Sequence, residues 1–205
     1  MDTLGALFGS TARVKILRLF LSNSLEIFSV DDVAQKSKVK GVEVRKEISL
    51  LKKIGFLSEK TCIKEVLVKK GTKEMIVKKR VTGLQFKQDF SLLAPLKNLI
   101  FSEMPLNRDE IIKRFRSVGK IKLHILAGVF IDEPDSRVDV LVVGDGVKKR
   151  ALESALRSLE SEIGKELSYS ALETADFLYR VSVYDKFVHD VLDFKHDRVV
   201  DKLRI

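Results

Sequence analysis

A single cysteine, Cys62, stands in the 205 residues. One thiol excludes a disulfide framework and any cysteine-based zinc finger, and it fits a reducing cytoplasm, the expected location. Glycine (11) and proline (3) together make about 7% of the chain, which excludes collagen-like and low-complexity architectures. Uncharged apolar runs are short, the stretch 125–131 being one of them. They fall far below the ~20 residues of a spanning helix, so no membrane partner is expected. The first residues, Met1-Asp2-Thr3-Leu4-Gly5, have neither a basic region nor an apolar core and do not resemble a secretory signal.

Familiar chemical motifs are missing too. His124, His189 and His196 lack metal-ligand spacing, since i, i+7 does not bring two histidines onto adjacent helix turns. Cys62 has no acidic or histidine neighbour to activate it. Val143-Gly144-Asp145-Gly146 lacks the spacing of a phosphate-binding loop and reads as a turn from strand to helix.

What is present is an ordinary globular balance, 45% apolar and 33% charged, in a length that suits one or two domains. The charge is unevenly placed. Residues 1–85 hold 18 of the 38 basic and 9 of the 29 acidic residues, while residues 86–205 hold 20 of each. The whole excess of +9 therefore sits in the first 85 residues. A basic part joined to a neutral part points to one half that meets a polyanion and one that does not.

Periodicity predicts three helices and a hairpin in the basic part. Ser10 is an N-cap ahead of the apolar stripe Val14, Leu17, Leu21. Ser29 or Asp31 caps a short second helix over Val30, Val33 and Ala34. A third helix runs over 42–54 with Val44, Ile48 and Leu51 inward, and Gly55 ends it. Strand-like residues over 56–68 and 75–81 flank Gly71-Thr72, a two-residue hairpin loop. This order spells a winged helix-turn-helix over 1–85.

In that arrangement the third helix offers its outer residues to the base edges of the major groove. Here these are Glu43, Arg45, Lys46 and Ser49. Arg45 and Lys46 suit guanine O6/N7 or phosphate, and Glu43 can accept from cytosine N4 or pair with a lysine. Lys52 lies further along, and Lys40 sits at the preceding turn with Lys36 and Lys38. Arg13 starts the first helix, where backbone phosphate can approach. Lys69, Lys70 and Lys73, with Lys78, Lys79 and Arg80, place charge on a narrow wing over about 66–80. Edge lysines can also simply block strand-to-strand aggregation.

The run Phe8-Gly9-Ser10-Thr11-Ala12-Arg13-Val14-Lys15-Ile16-Leu17-Arg18-Leu19-Phe20 resembles the first helix of winged-helix transcriptional regulators. Leu50-Leu51-Lys52-Lys53-Ile54-Gly55-Phe56-Leu57 resembles the end of their recognition helix. The resemblance covers about residues 5–85 and implies double-stranded DNA as partner. A palindromic site would require a homodimer. The apolar helix expected over 91–101 can supply its interface or pack within its own monomer.

Residues 86–119 read as a helical linker, with a second amphipathic helix over 107–117 capped by Asn107. From 120 to 205 the order is strand (121–131), strand (138–143), helix (148–163), strand (167–172) and helices over 174–184 and 186–192, Thr174 being the cap of the first. This describes an α/β (α+β) domain with a mixed sheet. The mixed-charge tail Asp193-Phe194-Lys195-His196-Asp197-Arg198 reads as solvated surface.

Leu126-Ala127-Gly128-Val129-Phe130 and Arg137-Val138-Asp139-Val140-Leu141 resemble the polymerase-β-type nucleotidyltransferase fold. Active members of that family carry a Gly-Ser pair, then two aspartates at i and i+2 on one strand, and a third carboxylate on a later strand, which together hold Mg²⁺. Here Gly128 remains, Val129 replaces the serine, Arg137 replaces the first aspartate, Asp139 keeps the second, and the third position falls on Ser168. The resemblance implies a degenerate domain with no catalytic residue, no metal and no cofactor. Gly128, Arg137 and Asp139 would be a remnant able to take a nucleotide effector, with Asp139 paired to Arg137. The two resemblances together are of a prokaryotic transcriptional-regulator type, not an enzyme. Two other readings stay open: an active nucleotidyltransferase acting on a protein or RNA, and an adaptor whose winged helix docks a protein.

Overall fold

The computed structural model describes residues 2–70, 73–102 and 107–205. The chain is mixed helix and sheet and divides into two compact units, residues 1–103 with 161–165, and residues 104–160 with 166–205. Among the described residues no helix is long and apolar enough to cross a membrane.

The first unit begins with a short helix that the sequence pattern did not suggest, α1 (Thr3–Phe8), capped by Asp2 and anchored by buried Leu4. α2 (Thr11–Ser22) follows Ser10, whose hydroxyl accepts the Arg13 N–H as expected. α3 (Val30–Ser37) opens on Ser29, not Asp31: Ser29 and Asp32 cap each other's backbone N–H groups. α4 (Gly41–Lys53) buries Val44, Glu47, Ile48 and Leu51 at i, i+3, i+4 and i+7. Gly55, at φ +75°, turns the chain out of it.

β1 (Leu57–Lys70) and β2 (Lys73–Phe86) form an antiparallel two-stranded ribbon, paired from Leu57↔Phe86 outward to Lys70↔Lys73. The expected loop, Gly71-Thr72, lies outside the described residues. β2 continues past Val81, where the sequence pattern ended the strand, through Gly83 to Phe86. A Cβ at Gly83 would stand 2.4 Å from the Ile27 side chain. Glycine there lets Phe28 bridge Leu84 with two backbone hydrogen bonds of 2.9 and 2.7 Å. α5 (Leu93–Phe101) closes the unit, with Ile100 in the core beside Phe20, Phe56 and Phe86.

The second unit is built on a four-stranded mixed sheet of order β5-β4-β3-β6. α6 (Arg108–Phe115), capped by Asn107, leads into β3 (Lys120–Leu126). β3 stops well short of residue 131. The chain instead turns at Gly128, in the left-handed region at φ +54°, into a 3₁₀ turn over Gly128–Phe130. β4 (Val140–Asp145) is apolar and buried on both faces, as its composition predicts. α7 (Lys149–Ile163) crosses over to β5 (Tyr169–Glu173), parallel to β4.

α8 (Thr174–Ser182) and α9 (Lys186–Asp193) follow; Thr174 is the first helical residue and not its cap. The tail is not solvated surface throughout. Asp197–Asp201 forms β6, antiparallel to β3, and buries Val199. β3 needs this neighbour because an unpaired edge beside its buried residues would strand backbone polar groups.

Leu123 and Ile125 pack toward Phe177, Val188 and Val191 of α8 and α9. His124 points to the other face, where its ring lies 4.4 Å from that of Phe115. It is fully buried, and among the described residues neither ring nitrogen has a hydrogen-bond partner. Burial therefore holds it neutral and lowers its pKa to about 4. The unfolded chain then binds the extra proton between about pH 6.5 and 4, so stability falls as the pH drops through that window. The full lowering corresponds to about 3 kcal/mol. Urea unfolding of the wild type and His124→Leu at pH 7 and pH 4.5 tests this. The variant is expected to lose less stability on acidification, and to be the more stable of the two at pH 7.

Candidate nucleic-acid interface and the Asp139 turn

α4 presents the residues the sequence singled out. With Val44, Glu47, Ile48 and Leu51 buried, Glu43, Arg45, Lys46, Ser49, Lys52 and Lys53 are all exposed. Lys40 is exposed at the N-cap and makes no side-chain cap bond. The Arg45 guanidinium reaches back along the helix to Gly41, where a Cβ would stand at an ordinary contact distance of 3.9 Å from it. Lys52 is tied to Glu59 at the base of the ribbon. Val42, missed in the sequence, stands 80% exposed on the same outer face. An exposed β-branched residue in a run of charge was the signal.

The ribbon carries Lys60, Lys78 and Arg80 outward. Lys69, Lys70 and Lys73 hold register positions at its far end, and their side chains lie outside the described residues, as does that of Lys79.

Arg13 is placed differently from expectation. It turns inward, where its Nε donates to Glu47 Oε2 at 2.7 Å and its Nη2 to Oε1 at 3.4 Å. Its Nη1 donates to the Phe8 carbonyl at 2.8 Å. The Ser10 hydroxyl, while capping α2, donates to Glu47 Oε1 at 2.8 Å. The guanidinium is drawn inward because Glu47, 3% exposed, demands a partner. The sequence held a clue: Glu47 occupies an i, i+3 place in the apolar stripe of α4.

In the second unit Gly128, Asp139 and Ser168 converge. Asp139 accepts the Val129 N–H at 2.9 Å and the Ser168 N–H at 2.8 Å, one on each carboxylate oxygen. Its own N–H donates to the Ser168 carbonyl at 2.7 Å, and its carbonyl accepts from Ala127 at 2.9 Å. Gly128 has to be glycine, since a Cβ would lie 2.1 Å from Asp139 Oδ1. Arg137 does not pair with Asp139. It reaches α9, where Nε and Nη2 each lie 2.8 Å from Asp190 Oδ2. Both Asp139 oxygens are already taken by backbone donors, so the guanidinium has no reason to turn there. One carboxylate so engaged is a poor cage for a divalent cation, and among the described residues no group of three metal-ligating side chains occurs.

Next to this turn is a cavity of about 210 Å³, with Ile111, Leu126, Phe130 and Val199 as apolar walls. Arg108 lines it too and lies 3.3 Å from Asp197.

No family model, no curated protein and no solved structure matches the chain.

The Asp139 geometry has a measurable consequence. In Asp139→Asn the side-chain amide turns an NH₂ toward one of the two backbone donors, leaving that donor unsatisfied. A loss of about 1–3 kcal/mol is expected in urea unfolding. A loss below 0.5 kcal/mol would show that the turn does not depend on the carboxylate.

Proposed function

We propose that the chain is a sequence-specific duplex-DNA-binding transcriptional regulator. In this reading α2, α3 and α4 with the β1–β2 ribbon form a winged helix-turn-helix, and α4 lies in the major groove. One observation carries it: α4 sinks Val44, Ile48 and Leu51 and turns Val42, Arg45, Lys46 and Ser49 outward as a single face, ahead of a basic ribbon. Arg45 and Lys46 match guanine acceptors, and the Val42 methyls suit the thymine methyl group. Lys40, Lys52 and the ribbon lysines, Lys69, Lys70 and Lys73 among them, take the backbone phosphates.

The second unit is proposed as a nucleotidyltransferase-like domain without the metal-binding carboxylates. It serves as an effector-binding or self-associating module. The used-up carboxylate of Asp139 supports the loss of chemistry.

The test is duplex binding by the full chain across a salt series, with selection from random sequences. A log–log slope of several units with enriched sites is expected. Arg45→Ala should relax preference at one base position by about 5- to 150-fold, whereas Lys73→Ala should weaken all sequences alike and lower the slope by about one. A steep slope without enrichment would make it a non-specific binder. No binding at low salt would remove the reading.

A further inference from the structure

We propose that Arg13, Glu47 and Ser10 are positioning residues for the reading helix. Their hydrogen-bonded cluster sets the rotation of α4 about its own axis, and so decides which side chains reach the bases. This rests on the DNA-binding reading of the first unit.

Burial free energy follows area and not angle, so it alone penalises a small rotation weakly. Val44, Ile48 and Leu51 hold α4 on the core by burial, which is non-directional. A helix with side chains is about 10–12 Å across, so turning it by ~20° sweeps an outer side chain through about 2 Å. That is enough to break a bidentate contact to a base, where hydrogen bonds span only about 2.7–3.2 Å. Something directional has to hold the angle.

Glu47 does so, because both of its oxygens are bound from fixed points. Oε2 takes Arg13 Nε at 2.7 Å, and Oε1 takes the Ser10 hydroxyl at 2.8 Å and Arg13 Nη2 at 3.4 Å. The donors are themselves held. Arg13 Nη1 is bound to the Phe8 carbonyl at the end of α1, and Ser10 is locked by accepting the Arg13 N–H at 3.0 Å. One planar guanidinium thus joins the end of α1, the first turn of α2 and the middle of α4. A lysine cannot reproduce that fork. The cluster lies under the outer face that carries Arg45, Lys46 and Ser49, on the same helix.

Two proposals about Arg13 are thereby separable. A phosphate contact contributes to the salt slope and is blind to sequence. A positioning residue affects sequence preference and leaves the slope alone. The experiment uses the full-length protein with Arg13→Met and Glu47→Leu combined, which removes both charges and leaves none stranded in the core. Glu47→Gln serves in parallel should the double variant fail to fold by circular dichroism.

Duplex binding is expected to show about a tenfold fall in the ratio of selected-site to random-sequence affinity, with an unchanged slope. Amide hydrogen exchange is expected to rise about tenfold over residues 41–53 but not over 30–37. A slope lowered by about one with preference intact would make Arg13 a phosphate contact and overturn the proposal. Unchanged preference with unchanged exchange in α4 would overturn it as well. If the wild type binds no duplex at low salt, the DNA reading fails. The exchange measurement then decides the cluster by itself, and unchanged exchange in α4 sinks it.

Discussion

A carboxylate cannot be left alone in a protein interior, and the first unit is arranged around that constraint. Glu47 stands among Val44, Ile48 and Leu51 on the inner side of α4. Its charge would be costly there without a partner and satisfied hydrogen bonds. Arg13 and Ser10 supply them from the start of α2, and Arg13 also satisfies the terminal Phe8 carbonyl of α1. Three helices are therefore tied at one point, inside an otherwise apolar cluster that runs from Leu4 to Ile100. Replacing such a pair with hydrophobic residues is often neutral for stability. What an apolar pair does not supply is direction, and direction matters when a helix has to present side chains at a set angle.

The second unit uses a carboxylate in a related way. Asp139 lies at the start of the buried strand β4 and gathers backbone N–H groups from the 3₁₀ turn and from the start of β5. In the proposed reading this residue descends from a metal ligand, and its two oxygens now serve the fold. Arg137, the neighbour two positions earlier, braces α9 through Asp190. Two residues two positions apart thus serve two separate structural tasks. His124 marks the opposite extreme: a buried polar ring with no hydrogen-bond partner among the described residues, held neutral by desolvation and packed on Phe115.

The outer face of α4 was legible in the sequence because amphipathic spacing places every residue of a helix once its apolar stripe is known. Arg45, Lys46 and Ser49 are exposed for that reason. Val42 belongs to the same face, although it carries no charge to mark it. Arg13 shows where local pattern stops. Its partner Glu47 is 34 positions away, and nothing near Arg13 distinguishes an inward guanidinium from an outward one. The same holds for Arg137 and Asp190, 53 positions apart, where the nearer Asp139 looked the better partner.

By itself the sequence determined the helix starts at Ser10 and Asn107, the buried strand β4, and the split between a basic and a neutral half, and it narrowed the start of α3 to Ser29 or Asp31. Each follows from local chemistry: a hydroxyl or amide oxygen for orphan N–H groups, a continuous apolar run, a count of charges. The tertiary structure alone decided the rest. β2 continues through Gly83 because Phe28 needs a close approach there, and β3 stops at Leu126 because Asp139 holds the following turn. Asp197–Asp201 becomes a strand because β3 leaves an edge to be paired. These outcomes depend on groups far apart in the chain, and backbone hydrogen bonding and buried charge impose them only once the chain has folded.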